Sequence, residues 1–234
     1  MNAYIIHVSD ATEREKHINS QLKGKNLEAV FVCEGDKKDI SKTILETYFS
    51  GEMAKVNATV SCAYKHLLAY NKMLENNNKI ALVLEDDIYF YDNFEIILEE
   101  LLHEIKHRNL DNFLLSIEDS TLTYVPNSKR KKGTLIYSAK SGRTAGAYLI
   151  DRKAAENILL NARNNKIDLP IDWFHNLCTD QKKINMYWSH PAVACQGSLD
   201  GSIPSLIDDK KFGFLKIWSF KVQKVHKQFL YWLW

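Results

Sequence analysis

An α/β fold with a mixed central sheet flanked by helices is predicted by three observations. The first 33 residues run through an apolar β-rich stretch, an amphipathic stretch and a second β-rich stretch, the spacing of a βαβ unit. Ile80–Leu84 is an unbroken apolar run, as in a strand buried on both faces. After it, segments of helical period keep alternating with short β-rich runs.

The elements follow in order. Ala3–Val8 (AYIIHV) is the first strand. In the "SDATEREKHINSQLKG" that follows, Ser9 or Asp10 is the expected N-cap and Gly24 the stop of a helix. Glu28–Cys33 is the second strand, and residues 34–58 are polar and irregular. From Thr59 to Leu74, Ala63, Leu67, Tyr70 and Leu74 recur at helical spacing. Phe94–Ile105 repeats that pattern through Leu98, Leu101 and Ile105. Phe113–Ile117, Thr134–Ser138 and Thr144–Ile150 read as strands, and Arg152–Ala162 as a helix. "KIDLPIDWFH" is a turn leading into a short helix, and "MYWSHPAVACQGS" mixes a strand with a polar loop. Two parts are expected: a domain over residues 1–210 and a distinct segment over 211–234.

Composition narrows the function. The chain has 234 residues, 45% of them hydrophobic and 26% charged, as in an ordinary globular protein. A net charge of +2 gives no basis for nucleic-acid binding. The four cysteines form no CxxC pair, which argues against a zinc ribbon or a disulfide framework and suits a reducing compartment. No apolar run has the length of a signal peptide core or a membrane span. The "NAT" at Asn57 is a formal glycosylation sequon, read as chance. The last 23 residues, from Phe212, carry Lys216, Lys221, Lys224 and Lys227 among many aromatics and no acid. They read either as a helix packed on the domain or as an interfacial segment lying on an anionic membrane surface.

Chemistry concentrates at the tip of the apolar run, where Glu85, Asp86 and Asp87 follow one another. Three adjacent carboxylates at the end of a buried strand need a cation or basic neighbours to stay ionised. Hard oxygen ligands suit Mg²⁺ or Mn²⁺. Strand alternation would put Glu85 and Asp87 on one face and point Asp86 away. The carboxyl end of such a strand is where open α/β sheets bind ligands. The competing reading is a solvated acidic loop.

The chain resembles glycosyltransferase family 25, the enzymes of lipopolysaccharide and lipooligosaccharide biosynthesis. The resemblance rests on segments in the family's order: "YIIHVSDATERE" (Tyr4–Glu15), Gly51-Glu52, "SCAYKH" (Ser61–His66), "LEDD" (Leu84–Asp87), "RTAGAYLI" (Arg143–Ile150), "PID" (Pro170–Asp172) and "HPAVACQGS" (His190–Ser198). The chain departs from the family pattern at Ser61, usually Gly, and at Lys65, usually Ser. The resemblance implies a nucleotide-sugar fold of GT-A type. It implies inverting transfer of a hexose, usually galactose in β linkage, from a UDP-sugar to a lipooligosaccharide acceptor. Mn²⁺ or Mg²⁺ would serve as cofactor. The setting implied is the bacterial cytoplasm, at the inner face of the cytoplasmic membrane.

It also implies roles. Asp87, Glu85 and His190 are the expected metal ligands. Val8, Arg14, His66, Glu85, Asp86, Arg143 and Thr144 are expected around the donor, and Trp173 and Gln196 around the acceptor. Asp172 is the expected general base, because inversion is one displacement with base assistance. Each has a plainer reading beside it. Asp172 could be a helix N-cap after Pro170, His66 a core residue, His190 structural, Trp173 a packing residue, and Arg14 and the "KRKK" of Lys129–Lys132 solvated charges. Two other classes stay open: a different metal-dependent phosphate enzyme, and a non-catalytic carbohydrate- or membrane-binding protein.

Overall fold

Seven strands form one mixed sheet in the order β2-β1-β3-β7-β5-β8-β6 in a computed structural model of the chain. The structure describes residues 1–120, 124–200, 202–204, 206, 222 and 225. The expected segment 211–234 therefore lies almost wholly outside the described residues.

The strands are β1 (Asn2–Ile6), β2 (Glu28–Val32), β3 (Ile80–Glu85), β4 (Ile88–Phe90), β5 (Phe113–Ser116), β6 (Ile136–Ala139), β7 (Ala147–Asp151), β8 (Asn185–Ser189) and β9 (Ala194–Gln196). Among the described residues the α-helices up to residue 200 are α1 (Thr12–Leu22), α2 (Lys42–Tyr48), α3 (Ala58–Glu75), α4 (Phe94–His107), α5 (Arg152–Asn165), α6 (Ile171–Asp180) and the short α7 (Gly197–Asp200). β1 pairs in parallel with both β2 and β3, and β7 is inserted antiparallel between β3 and β5. β4 and β9 make a separate two-stranded ladder. The expected mixed sheet flanked by helices is present.

Alternation sorts the strand residues onto two cores. Tyr4, Ile6, Ala81, Val83, Tyr148 and Ile150 pack on the α3 and α5 side. Ala3, Ile5, Leu82, Leu84, Ala147 and Leu149 pack on the α4 side. Both faces of β1, β3 and β7 are thus buried, which is why their sequences are nearly unbroken apolar runs.

Two expectations about the early chain are corrected. α1 starts at Thr12, and Ala11 at its N-cap position makes no side-chain cap bond. Ser9 is engaged elsewhere: its backbone N–H donates to Asp36 Oδ2 at 3.2 Å and its hydroxyl to the Cys33 carbonyl at 3.1 Å. The irregular stretch 34–58 contains α2, capped by Ser41, whose Oγ accepts the Ile44 N–H at 3.3 Å. None of the seven α2 residues is buried, so no apolar stripe announces it. Asn57 of the sequon caps α3 by accepting the Val60 N–H at 2.9 Å.

Candidate active site

The carboxyl ends of β1, β2 and β3 and the entry to β7 meet at one edge of the sheet. Bonding of the Glu85 N–H to the Gly146 carbonyl at 2.8 Å ties β3 to that entry. A cavity of about 630 Å³ opens there, bounded by α1 on one side and by α3 and the start of α6 on the other. This is the ligand position expected of an open α/β sheet.

Glu85, Asp86 and Asp87 all line this cavity. The expectation that Asp86 points away is corrected. β3 ends at Glu85, and Asp86-Asp87 form a turn into β4, so strand alternation stops there. Glu85 keeps the face of Val83 and looks toward α3. Its Oε1 lies 3.9 Å from Cys62 Sγ and 3.7 Å from His66 Nε2. Its Oε2 accepts from Gln196 Nε2 at 2.7 Å. Asp86 is bound from the other side: Arg14 Nη1 donates to its Oδ1 at 2.5 Å, and His7 Nδ1 lies 2.8 Å from its Oδ2. Arg14 Nη2 also lies 3.6 Å from Asp87 Oδ2. One guanidinium therefore serves two carboxylates.

Charge is incompletely neutralised. Burial, followed by repulsion from Asp87 and Asp86, pushes the Glu85 carboxyl up to about 8. Burial also raises Asp87, and Arg14 opposes that rise. Asp87 Oδ1 is buried with no hydrogen-bond partner. An orphaned oxygen on one carboxyl of raised proton affinity, Asp87, beside a second, Glu85, suits a divalent cation of the hard-oxygen class. The residues present fit the expected Mn²⁺ or Mg²⁺, with Asp87 and Glu85 as the natural ligands.

Asp172 lies across the cavity in the first turn of α6. Pro170, not Asp172, occupies the N-cap position. Asp172 Oδ2 accepts the Thr144 backbone N–H at 3.2 Å, which fixes the carboxylate against the β7 entry. Val8, Arg14, Thr144 and Gln196 also line the cavity. Gly146 explains how Gln196 gets there, because a Cβ at that position would fall 2.6 Å from the Gln196 side chain.

Four expected residues are placed elsewhere. His66 is fully buried beneath Glu85 and does not line the cavity. Arg143 is exposed and absent from the lining. Trp173 is 60% exposed on the outer face of α6, because it follows Asp172 and the helix turns it outward. His190 follows β8 beside the sheet's far edge, where its N–H donates to the Leu135 carbonyl at 2.8 Å. Burial and then Arg130 lower its pKa. β8 is separated from β3 by β7 and β5, so His190 is not brought to the acid triplet.

The structure adds residues that sequence reasoning passed over. His7 sits at the β1 tip and holds Asp86. Lys65 is 1% exposed, and its ammonium donates to the carbonyls of Val32, Cys33 and Glu34 and lies 3.0 Å from Asp36 Oδ1. It ties the end of β2 to α3, which accounts for a lysine at the position where the family pattern differs. Glu118 is buried, its Oε2 accepts the Gly146 N–H at 3.0 Å, and burial pushes its pKa well above the ordinary carboxylate range. Lys65 lies opposite the stripe of Ala63, Leu67 and Tyr70 on α3, so helical period gave no sign of its burial. His7 carried none beyond its position at a strand end.

The chain is similar to several known proteins. A putative glycosyltransferase of Haemophilus influenzae is 24% identical over 176 residues, covering 72% of this chain and 60% of that protein. Procollagen galactosyltransferase 1-B of Xenopus laevis is 31% identical over 133 residues, covering 56% of this chain and 21% of that one. The lipooligosaccharide biosynthesis protein lex-1 of Haemophilus influenzae is 22% identical over 229 residues, 82% of this chain and 75% of its own length. The chain thus spans less than two thirds of the first of these relatives and about a fifth of the second. A solved structure, mouse xyloside xylosyltransferase 1 in its apo form, overlays with a TM-score of 0.42 at 15% identity, over 78% of this chain and 70% of that one. Residues 1–175, three quarters of the chain, match the family described as "Glycosyltransferase family 25 (LPS biosynthesis protein)". With the "LEDD" carboxylates gathered at one cavity, the match is conclusive: the chain belongs to glycosyltransferase family 25.

Proposed function

We propose that this chain is an inverting glycosyltransferase that moves a hexose, galactose in β linkage, from a UDP-sugar to a lipooligosaccharide or lipopolysaccharide acceptor. The observation that carries the reading is the convergence of Glu85, Asp86 and Asp87 on one cavity that also holds Asp172. Family membership and the galactosyltransferase named among the relatives support the class and the sugar.

The chemistry is one displacement. The acceptor hydroxyl oxygen forms a bond to the sugar's anomeric carbon as the bond from that carbon to the donor phosphate breaks. Its electron pair leaves on the diphosphate, and the hydroxyl proton passes to an Asp172 oxygen. Arg14 offsets negative charge near the leaving group, while His7 fixes the Asp86 carboxylate that Arg14 grips. Asp87 and Glu85 would hold Mn²⁺ or Mg²⁺, which when bound supplies positive charge to the diphosphate. Gln196 orients Glu85 by donating to its Oε2 and would border the acceptor. We further propose that the basic, aromatic residues 211–234 place the enzyme on the anionic cytoplasmic face of the membrane. Among the described residues, no helix is long and apolar enough to cross a membrane.

The test is a panel of UDP-hexoses with Mn²⁺, Mg²⁺ or EDTA, read by thermal shift and by release of UDP. One UDP-sugar should stabilise the chain in a metal-dependent way, and Asp87→Ala should abolish that response. Stabilisation by free nucleotides with no preference for a sugar would favour a different phosphate enzyme. No response to any nucleotide, with or without a glycolipid acceptor, would overturn the reading.

A further inference from the structure

We infer that Cys62, His66 and Glu85 form a binding site for a thiophilic divalent cation of the Zn²⁺ class, with its open side facing the cavity. The Cys62 thiol, a His66 ring nitrogen and a Glu85 oxygen all lie within 4.8 Å of one another, and Nε2 is the His66 nitrogen that faces Glu85 Oε1, at 3.7 Å. Tetrahedral bonds of about 2.0–2.3 Å place such donors roughly 3.3–3.5 Å apart. The observed 3.9 Å and 3.7 Å to Glu85 Oε1 are thus a few tenths of an ångström too wide, within reach of small side-chain rotations.

The scaffold is rigid on both sides. Cys62 and His66 are four residues apart on α3, so one helix face presents both. Glu85 ends β3 at the centre of the sheet. A second observation is independent of this spacing. His66 is 0% exposed, yet its Nε2 has no hydrogen-bond partner. Its other nitrogen is occupied: Nδ1 lies 2.7 Å from the Tyr148 hydroxyl, which lies 2.6 Å from Tyr70, which lies 2.8 Å from His175 Nε2. Reading donors from His66 toward His175, Nδ1–H donates to Tyr148, Tyr148 to Tyr70, and Tyr70 to His175. That arrangement satisfies both hydroxyls and leaves the His66 Nε2 lone pair unused and aimed at Glu85. It is the support a metal-ligating histidine needs from its outer shell. Gln196 completes it by binding Glu85 Oε2 and leaving Oε1 toward the two α3 residues.

Ligand chemistry selects the ion. Sulfur and imidazole with one carboxylate suit Zn²⁺ or Co²⁺ and disfavour Mg²⁺. Three protein donors leave a fourth position, which the cavity fills with water or a ligand oxygen. Cys62 and Glu85 line the cavity, so the ion has an entry path. The site shares Glu85 with the Mn²⁺ or Mg²⁺ site of the proposed function, so the two ions compete for that carboxylate.

Co²⁺ titration of the reduced, metal-stripped chain tests it. A thiolate-to-cobalt charge-transfer band should grow to saturation at one equivalent and collapse on adding one equivalent of Zn²⁺, but not of Mg²⁺. Cys62→Ser, nearly isosteric, should abolish the band while far-UV circular dichroism stays unchanged, and Cys33→Ser should keep it. Glu85→Gln should weaken Co²⁺ binding by about tenfold or more. Absence of a band in the unsubstituted chain, or a band that survives Cys62→Ser, would overturn the inference.

Discussion

Gln196 donates to Glu85 Oε2 at 2.7 Å from a chain position 111 residues away, and it does so through space that only a glycine at 146 leaves open. The atoms that a Gly146→Ala methyl would meet belong to the Gln196 side chain, which can swing aside. The fold should therefore lose about 1–3 kcal/mol, while Glu85 loses its partner. Sugar transfer should fall by about tenfold or more, in line with one lost hydrogen bond to a carboxyl that the site uses. Urea denaturation with activity on the same preparation checks this, and a large loss of stability with unchanged activity would contradict it.

Asp172→Asn should leave the fold intact, because the asparagine oxygen can still accept the Thr144 N–H. It removes the proton acceptor. kcat should drop by about 10²–10⁴-fold with little change in donor KM. A variant with near-normal kcat would remove Asp172 from the base role.

Glu85 makes stability depend on pH in a defined direction. The unfolded chain ionises this carboxyl near 4.5 and the folded chain near 8. Between those values the folded state holds the extra proton, so this group's contribution falls as pH rises through the window. Glu85→Gln cannot ionise. In the absence of metal it should be more stable than the parent by about 1–3 kcal/mol at pH 8 and above, with the gain vanishing toward pH 4.5. Denaturant melts at pH 5 and pH 8.5 check the sign, and equal differences at the two pH values would refute it.

Lys65→Met should be costly. It strips the ammonium from three carbonyls and from the buried carboxylate of Asp36, leaving that charge unpaired. A loss of about 3–5 kcal/mol is expected. The double variant Lys65→Met with Asp36→Asn should recover part of it, and a cycle of urea melts measures how much.

The sequence by itself determined the alternation of strands and helices, the buried central strands and the acid cluster at the β3 tip. Those features are local: a period of 2 or 3.6 records which side of an element is buried, and Ile80–Leu84 or the stripe Ala63, Leu67 and Tyr70 records it plainly. α2 escaped because a helix with no buried residue has no stripe to read. The tertiary structure alone decided the site. The turn after Glu85 brings Asp86 to the same cavity as its neighbours, against the alternation that a longer strand would impose. Insertion of β7 and β5 between β3 and β8 carries His190 away from the acids while the β9 ladder returns Gln196 to them. His7, Arg14, Cys62 and His66 meet the triplet across 19 to 79 residues of chain. Separations of that kind are set by strand order and by packing on two faces of a sheet, and they leave no period in the sequence to read.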